Sequence, residues 1–257
     1  MGAEIILTAR SEEKLKQAIK EIQSATGNNK LKYYTADFSS QKSVRALAEK
    51  VKKDYQKIDV LINNAGATYS DFKLTEDGLE STIATNHFAY FLLTNLLLDL
   101  VKKSDYARII SVASGSHYQG KIDFDSFTKD TGHFVTKAYA QSKLANVLFT
   151  FELADRLNGT QVTANCLHPG MVKTDIGNKE SNNWLASTVW TLASGLLGIS
   201  LENGAKTSVY LASSPEVKGV TGKYFDKCKV KEPAKLAKDK ALGKQLWEVS
   251  EKLCPLH

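Results

Sequence analysis

The sequence is poor in the residues that would mark a secreted, metal-held or multidomain protein. Its three cysteines, Cys166, Cys228 and Cys254, are far apart and odd in number. They offer no disulfide framework and point to a reducing compartment. There is no CxxC or HExxH, and the histidines, His87, His117, His133, His168 and His257, are dispersed, so no metal site is expected. With four prolines in 257 residues and no Ser/Gly-rich run, there is no linker, and 1–257 reads as a single domain near the upper size for one core. Repeats and low-complexity tracts are absent. The net charge is +6, but the lysines of the basic stretch 227–244 have no aromatic residues among them. That stretch reads as a solvated helix face, and no nucleic-acid partner is expected. Long apolar runs are also missing. The longest, WLASTVWTLASGLLGIS at 184–200, is broken by Ser and Thr and is short for a membrane span. It reads as a cover over an apolar pocket, with peripheral membrane contact as the second reading. No secretory signal peptide is found. The expected location is intracellular, in the cytoplasm or peripheral to an endomembrane.

What the chain does have is alternation. An apolar fraction of 42% and a charged fraction of 24% suit an ordinary globular protein. MGAEIILTAR is a strand and its exit, and Ser11 then stands as N-cap to a helix with Leu15, Ala18, Ile19 and Ile22 on one face. A strand in LKYYTADFSS follows, then a helix from about Ser40 to Tyr55 and the apolar run IDVLINNAG. A helix over about 80–102 leads to the strand ARIISVASG, a helix over 133–157 and the strand TQVTANCLHPG. The chain closes with a helix at 202–212, a short strand at 220–226 and a helix near 234–253. Nearly all-apolar strands alternating with helices predict an α/β fold, a doubly wound parallel sheet with helices on both faces. Such sheets bind ligands at the carboxyl ends of their strands. Arg10, Asp37, Asn63 to Gly66, Ser114 and the stretch from Pro169 to Thr174 fall there.

The most informative stretch is YAQSK, Tyr139 to Lys143. Residues four apart share a helix face. A phenol with a pKa of roughly 10 is a poor acid or base at pH 7. A neighbouring ammonium favours phenolate and is expected to lower that pKa by roughly 1–3 units. Tyr139 then serves as proton donor or acceptor for an alcohol or carbonyl. Taken alone, the pair also fits an ordinary solvated helix surface. Ser114 follows a strand, where its hydroxyl is placed to bond a substrate oxygen or to cap the strand end. Asn86 stands inside an apolar helix, TNHFAYFLL, where its amide requires a partner. The chain has no GxSxG elbow, which argues against a hydrolase.

Five ordered motifs carry a family resemblance: NNAG at 63–66, Asn-His-Phe at 86–88, RIISVAS ending at Ser114, YAQSK, and HPGMVKTDI at 168–176. Across essentially its whole length the chain resembles the short-chain dehydrogenase/reductase family, and ENGAKTSVYLASSPEVKGVTGKYF is similar to its retinol dehydrogenase-like branch. The resemblance implies Tyr139 as acid/base, with Lys143 lowering its pKa and holding the nicotinamide ribose. It implies Ser114 orienting the substrate carbonyl and Asn86 supporting a water-mediated proton relay through Lys143. Asp37 would meet the adenine, and Asn64, Ala65 and Gly66 would line the adenosine side. Pro169, Gly170, Val172 and Thr174 would hold the carboxamide. Hydride chemistry belongs to the cofactor.

At the end of the first strand stand Ala9 and Arg10, with no acid to take ribose hydroxyls. An arginine grips a phosphate bidentately, so NADP is expected over NAD. A surface arginine in a loop is the alternative. The expected substrate is an apolar alcohol or carbonyl that is retinoid-, steroid- or lipid-aldehyde-like, and the resemblance hints at a homodimer. The family's opening strand, glycine-rich turn and helix have no counterpart here, so an N-terminal truncation with a central strand missing from the sheet is expected. A non-catalytic protein with weak cofactor binding is the alternative reading.

Overall fold

A computed structural model describes residues 2–170 and 200–256. Strand β1 (Ile5–Ala9) leads to α1 (Glu12–Thr26) through Ser11, whose hydroxyl accepts from the Lys14 N–H at 3.2 Å. That bond satisfies one of the orphan donors of the first turn. Strand β2 (Leu31–Thr35) precedes α2 (Gln41–Asp54), capped in the same way by Ser40. In α2, Val44, Leu47, Ala48 and Val51 are buried at helical spacing, and this face packs on α3. Strand β3 (Val60–Asn63) is followed by a helical turn (Ser81–Ile83), a π-helical turn (Ala84–Phe88) and α3 (Ala89–Lys102). Next come β4 (Arg108–Val112), α4 (Val135–Arg156), β5 (Thr163–His168) and α5 (Leu201–Ser213). The chain ends with β6 (Tyr224–Asp226), β7 (Lys229–Val230) and α6 (Lys240–Leu253).

The expected α/β alternation with parallel strands is present, but the described strands form two sheets. β1 and β2 pair in parallel, from Ile5 opposite Leu31 to Ala9 opposite Thr35. β3, β4, β5 and β6 form a second parallel sheet, to which β7 adds an antiparallel edge. Among the described residues β1 and β3 are not paired, and Ile5, Val60 and Ile62 on these strands are 40%, 37% and 43% exposed. Elsewhere the packing is dense. α4 is buried over most of its circumference, with Leu144, Ala145, Val147, Leu148 and Phe149 in the core. Phe91, Phe149 and Trp247 join α3, α4 and α6, with ring centroids 5.0–5.7 Å from Trp247. His87 ties the π turn to α6, its Nε2 lying 2.9 Å from the Ser250 hydroxyl.

The stretch 227–244 departs from the expected helix face. Lys227 and Cys228, at φ 50° and 62°, make the turn between β6 and β7. A 3₁₀ turn follows at Lys235–Lys238, and the helix begins only at Lys240. A two-residue turn with both φ values positive suits a hairpin twist. No helix among the described residues is long and apolar enough to cross a membrane. The expected pocket cover, 184–200, falls outside the described residues except for Ser200, which caps α5 through Asn203.

Candidate active site

The candidate site lies at the carboxyl ends of β3 and β4, against α4. Lys143 is held with its ammonium inward by burial of that helix on the sheet. Its Nζ donates to the Val112 carbonyl at 3.1 Å, with the rings of Tyr139 and Tyr90 centred 5.6 and 5.9 Å away. Burial draws the Lys143 pKa down to about 8. Desolvation penalises the charged form when no carboxylate compensates.

Tyr139 stands one turn earlier on the same face. Burial raises its pKa, and the neighbouring Ser114 hydroxyl acts in the opposite direction. This corrects the expectation that Lys143 lowers it. The net shift is upward because desolvation of the phenolate dominates, while the ammonium is committed to the Val112 carbonyl. A phenol that stays protonated at neutral pH is suited to donating its proton.

Ser114 follows β4 in extended backbone, φ −160° and ψ 158°. Its hydroxyl accepts from the Ser116 N–H at 3.2 Å and so caps the 3₁₀ turn Gly115–Gln119. That turn sits directly on α4. A Cβ placed on Gly120 would lie 2.6 Å from the Ala140 carbonyl oxygen and 2.8 Å from Leu144 Cβ. No side chain fits there, which is how the Ser114 turn approaches the residue next to Tyr139. Gly120→Ala should therefore destabilise the fold by about 1–3 kcal/mol, the usual cost of overpacking. It should also lower turnover by moving the serine relative to the tyrosine. Urea denaturation with kinetics on the folded fraction checks both; an unchanged midpoint would refute the close-approach argument.

Asn86 occupies the π-helical turn, where an extra residue redirects a side chain; such turns recur at functional sites. It is fully buried. Its Oδ1 accepts from the Ala67 N–H at 2.8 Å, and its Nδ2 donates to the Ala67 carbonyl and to the Ser142 hydroxyl, each at 3.0 Å. This fixes the loop after β3. The Tyr90 hydroxyl holds the same loop by donating to the Ala65 carbonyl at 2.8 Å. A Cβ on Gly66 would lie 3.5 Å from Asn86 Oδ1 and 3.6 Å from Lys143 Nζ. Asn64, Ala65 and Gly66 thus border the same space as Asn86 and Lys143.

The other expected residues are spread along the strand ends. Pro169 and Gly170 follow β5, with Gly170 at φ 87°. Asp37 follows β2, and its Oδ1 accepts from the Ser39 N–H and hydroxyl at 2.9 and 2.7 Å, so this carboxylate shapes its own turn. Arg10 is exposed at the end of β1 and engages no partner among the described residues. Val172 and Thr174 lie outside the described residues. Three contributors were not foreseen: Tyr90, His117 and His168. Tyr90 stands four residues after Asn86, which puts it on the same helix face. A cleft of about 970 Å³ lies elsewhere, at the amino ends of β4 and β5 between Arg108, Asn158, Thr163 and Lys223. It is open and none of the residues above lines it.

A buried cation beside a phenol, a strand-end serine and a backbone-anchored loop fits the ribose and nicotinamide end of a dinucleotide. An unpartnered arginine one sheet away fits a phosphate. The sequence contains no glycine fingerprint for the pyrophosphate.

Comparison with known proteins identifies the family. The chain is 40% identical over 264 residues to retinol dehydrogenase 14 of Homo sapiens, covering 98% of this chain and 79% of that one. It is 43% identical over 258 residues to retinol dehydrogenase 13 of Homo sapiens, covering 99% and 78%. Among solved structures, an uncharacterized protein from Mycobacterium Paratuberculosis superposes with a TM-score of 0.74 at 31% identity, covering 98% of this chain and 84% of that one. A short chain dehydrogenase from Shigella flexneri 2a, crystallised with NADP, shares the fold with a TM-score of 0.65 at 24% identity, covering 89% and 87%. The short chain dehydrogenase family model matches residues 1–184, the span that holds the Asn86, Ser114, Tyr139 and Lys143 cluster, and the chain belongs to that family of oxidoreductases.

Proposed function

We propose that the chain transfers a hydride between NADP(H) and an apolar alcohol or carbonyl, with Tyr139 as acid/base. The convergence of Tyr139, Ser114, Lys143 and Asn86 at the ends of β3 and β4 carries this reading. A bound nicotinamide supplies or takes the hydride. In the reducing direction the protonated Tyr139 phenol gives its proton to the substrate oxygen, which the Ser114 hydroxyl orients. Lys143, buried and cationic, fits the ribose hydroxyls. Asn86 holds the Ala67 backbone and so the loop that borders Lys143. Substrate polarity is inferred from the two retinol dehydrogenases and from Phe134, 56% exposed and five residues before Tyr139. A non-catalytic role is not favoured, because Asn86, Ser114, Tyr139 and Lys143 are all present.

The preference for NADP(H) rests on Arg10. A charge-assisted bond of this kind contributes about 1.5–3 kcal/mol. Arg10→Glu should therefore weaken NADPH binding about 10- to 100-fold and leave NADH less affected. Fluorescence titration of both cofactors checks it; equal losses for the two would remove Arg10 as the phosphate reader.

A further inference from the structure

We propose that His117 and His168 are positioning residues that clamp the Ser114–Gly115 peptide from its two ends. The proposal rests on the reading of Ser114 as the group that orients the substrate oxygen.

The geometry is specific to one peptide unit. Its carbonyl oxygen, that of Ser114, lies 2.6 Å from His117 Nδ1. Its N–H, that of Gly115, donates to His168 Nδ1 at 3.1 Å. The far nitrogen of His117, Nε2, accepts from the Ala234 N–H at 3.1 Å. A backbone N–H can only donate and a carbonyl can only accept, so these partners dictate the tautomers. His117 carries its proton on Nδ1, and His168 carries its proton on Nε2. The result is a chain of three hydrogen bonds from the segment before α6, through the peptide preceding the 3₁₀ turn, to the end of β5. It requires both rings to be neutral. A proton on His117 Nε2 would oppose the Ala234 N–H, and a proton on His168 Nδ1 would oppose the Gly115 N–H.

The surroundings keep the rings neutral. His117 is fully buried between the rings of Tyr118 and Tyr224, 4.1 and 4.7 Å away. Burial lowers its pKa, the bond to the Ser114 carbonyl opposes that, and His168 and Lys231 lower it further. His168 is lowered chiefly by burial and by Lys231 and Lys227, against its register partner Asp226 on β6, which raises it. Because both are lowered from the ordinary histidine value, the clamp is intact at neutral pH and is lost as pH falls. A peptide plane held at both ends fixes the backbone that carries the Ser114 side chain. Its loss should therefore act on turnover more than on binding.

The test uses the whole chain labelled with ¹⁵N-histidine. At pH 7 the ring shifts should report two neutral imidazoles of opposite tautomer, Nδ1–H for His117 and Nε2–H for His168. A shared tautomer, or a charged ring at pH 7, would overturn the clamp. This readout needs no turnover, so it decides the question even if the oxidoreductase reading fails. Kinetics add a second arm. His168→Ala should lower kcat about 10- to 100-fold, the usual consequence of a small misplacement of a reacting group. NADPH affinity should stay within twofold, and the acid limb of the kcat profile should change shape. His168→Asn, which keeps an acceptor near the Gly115 N–H, should restore most of the rate. A variant that loses only thermal stability, with the kcat of the folded protein intact, would make the histidines structural and overturn the proposal.

Discussion

Tyr139→Phe should reduce turnover of an apolar carbonyl by about 10²- to 10⁴-fold, the range attributed to a positioned general acid. The substitution deletes one oxygen from a partly exposed ring and leaves the helix that carries it intact. NADPH affinity should change little, because the buried ammonium of Lys143 and the loop at Gly66 remain in place. The raised pKa of the phenol adds a pH signature. Tyr139 is protonated throughout the neutral range, so reduction should hold steady there and decline only on the alkaline side, as the donor is lost. Oxidation, which needs the phenolate, should rise over the same alkaline interval. Stopped assays in both directions, with parent and variant side by side, check this. A Phe variant within threefold of the parent would remove Tyr139 from the chemistry.

The second large effect is at Lys143, where stability and activity should move in opposite directions. Its ammonium is buried with one carbonyl as hydrogen-bond partner, and its pKa of about 8 measures the strain. The unfolded chain holds this proton to about pH 10.5. Between those values the unfolded state binds more protons, so native stability rises with pH across that window. Below pH 8 both states are charged and the penalty is complete. Lys143→Met removes the charge and keeps the length. It should stabilise the protein at pH 7 by up to about 3 kcal/mol, taking 1.36 kcal/mol per pKa unit. The advantage should shrink as pH rises from 8 towards 10.5. Carbonyl reduction and NADPH binding should fall together, the signature of a strained functional group. Thermal melts at pH 7 and pH 10 with parallel assays suffice. A Met variant less stable than its parent at pH 7 would contradict the burial argument.

Much of this was legible in the sequence, because local signals and global pattern agreed. Ser11 and Ser40 announce the helices they cap, and the apolar runs around Ile62, Ile110 and Cys166 form parallel strands, of which β4 and β5 are buried as parallel sheets require. The spacing of Tyr139 and Lys143 placed them on one face, and Asn86 in an apolar helix did demand partners. What failed depended on tertiary context. Charge proximity alone suggested a lowered phenol pKa, but the sequence does not show that Lys143 is turned to the Val112 carbonyl and that burial dominates. The β6–β7 hairpin turns through Lys227 and Cys228, without the Asn-Gly or Asp-Gly that usually signals positive φ, so its lysine pattern resembles part of a helix face. His117 and His168 looked dispersed because they are 51 positions apart along the chain, and only the fold brings them to one peptide.

The most direct test of the central claim is isotope transfer. NADPH deuterated at the transferable C4 position would be incubated with the 257-residue chain and, in separate reactions, retinaldehyde, a steroid ketone and a long-chain aldehyde. Products would be read by mass spectrometry, with Tyr139→Phe as control. Deuterium on the carbinol carbon of at least one product, lost in the Phe variant, is the expected result. No labelled alcohol from any of the three, or equal labelling by the Phe variant, would contradict hydride transfer with Tyr139 as proton donor.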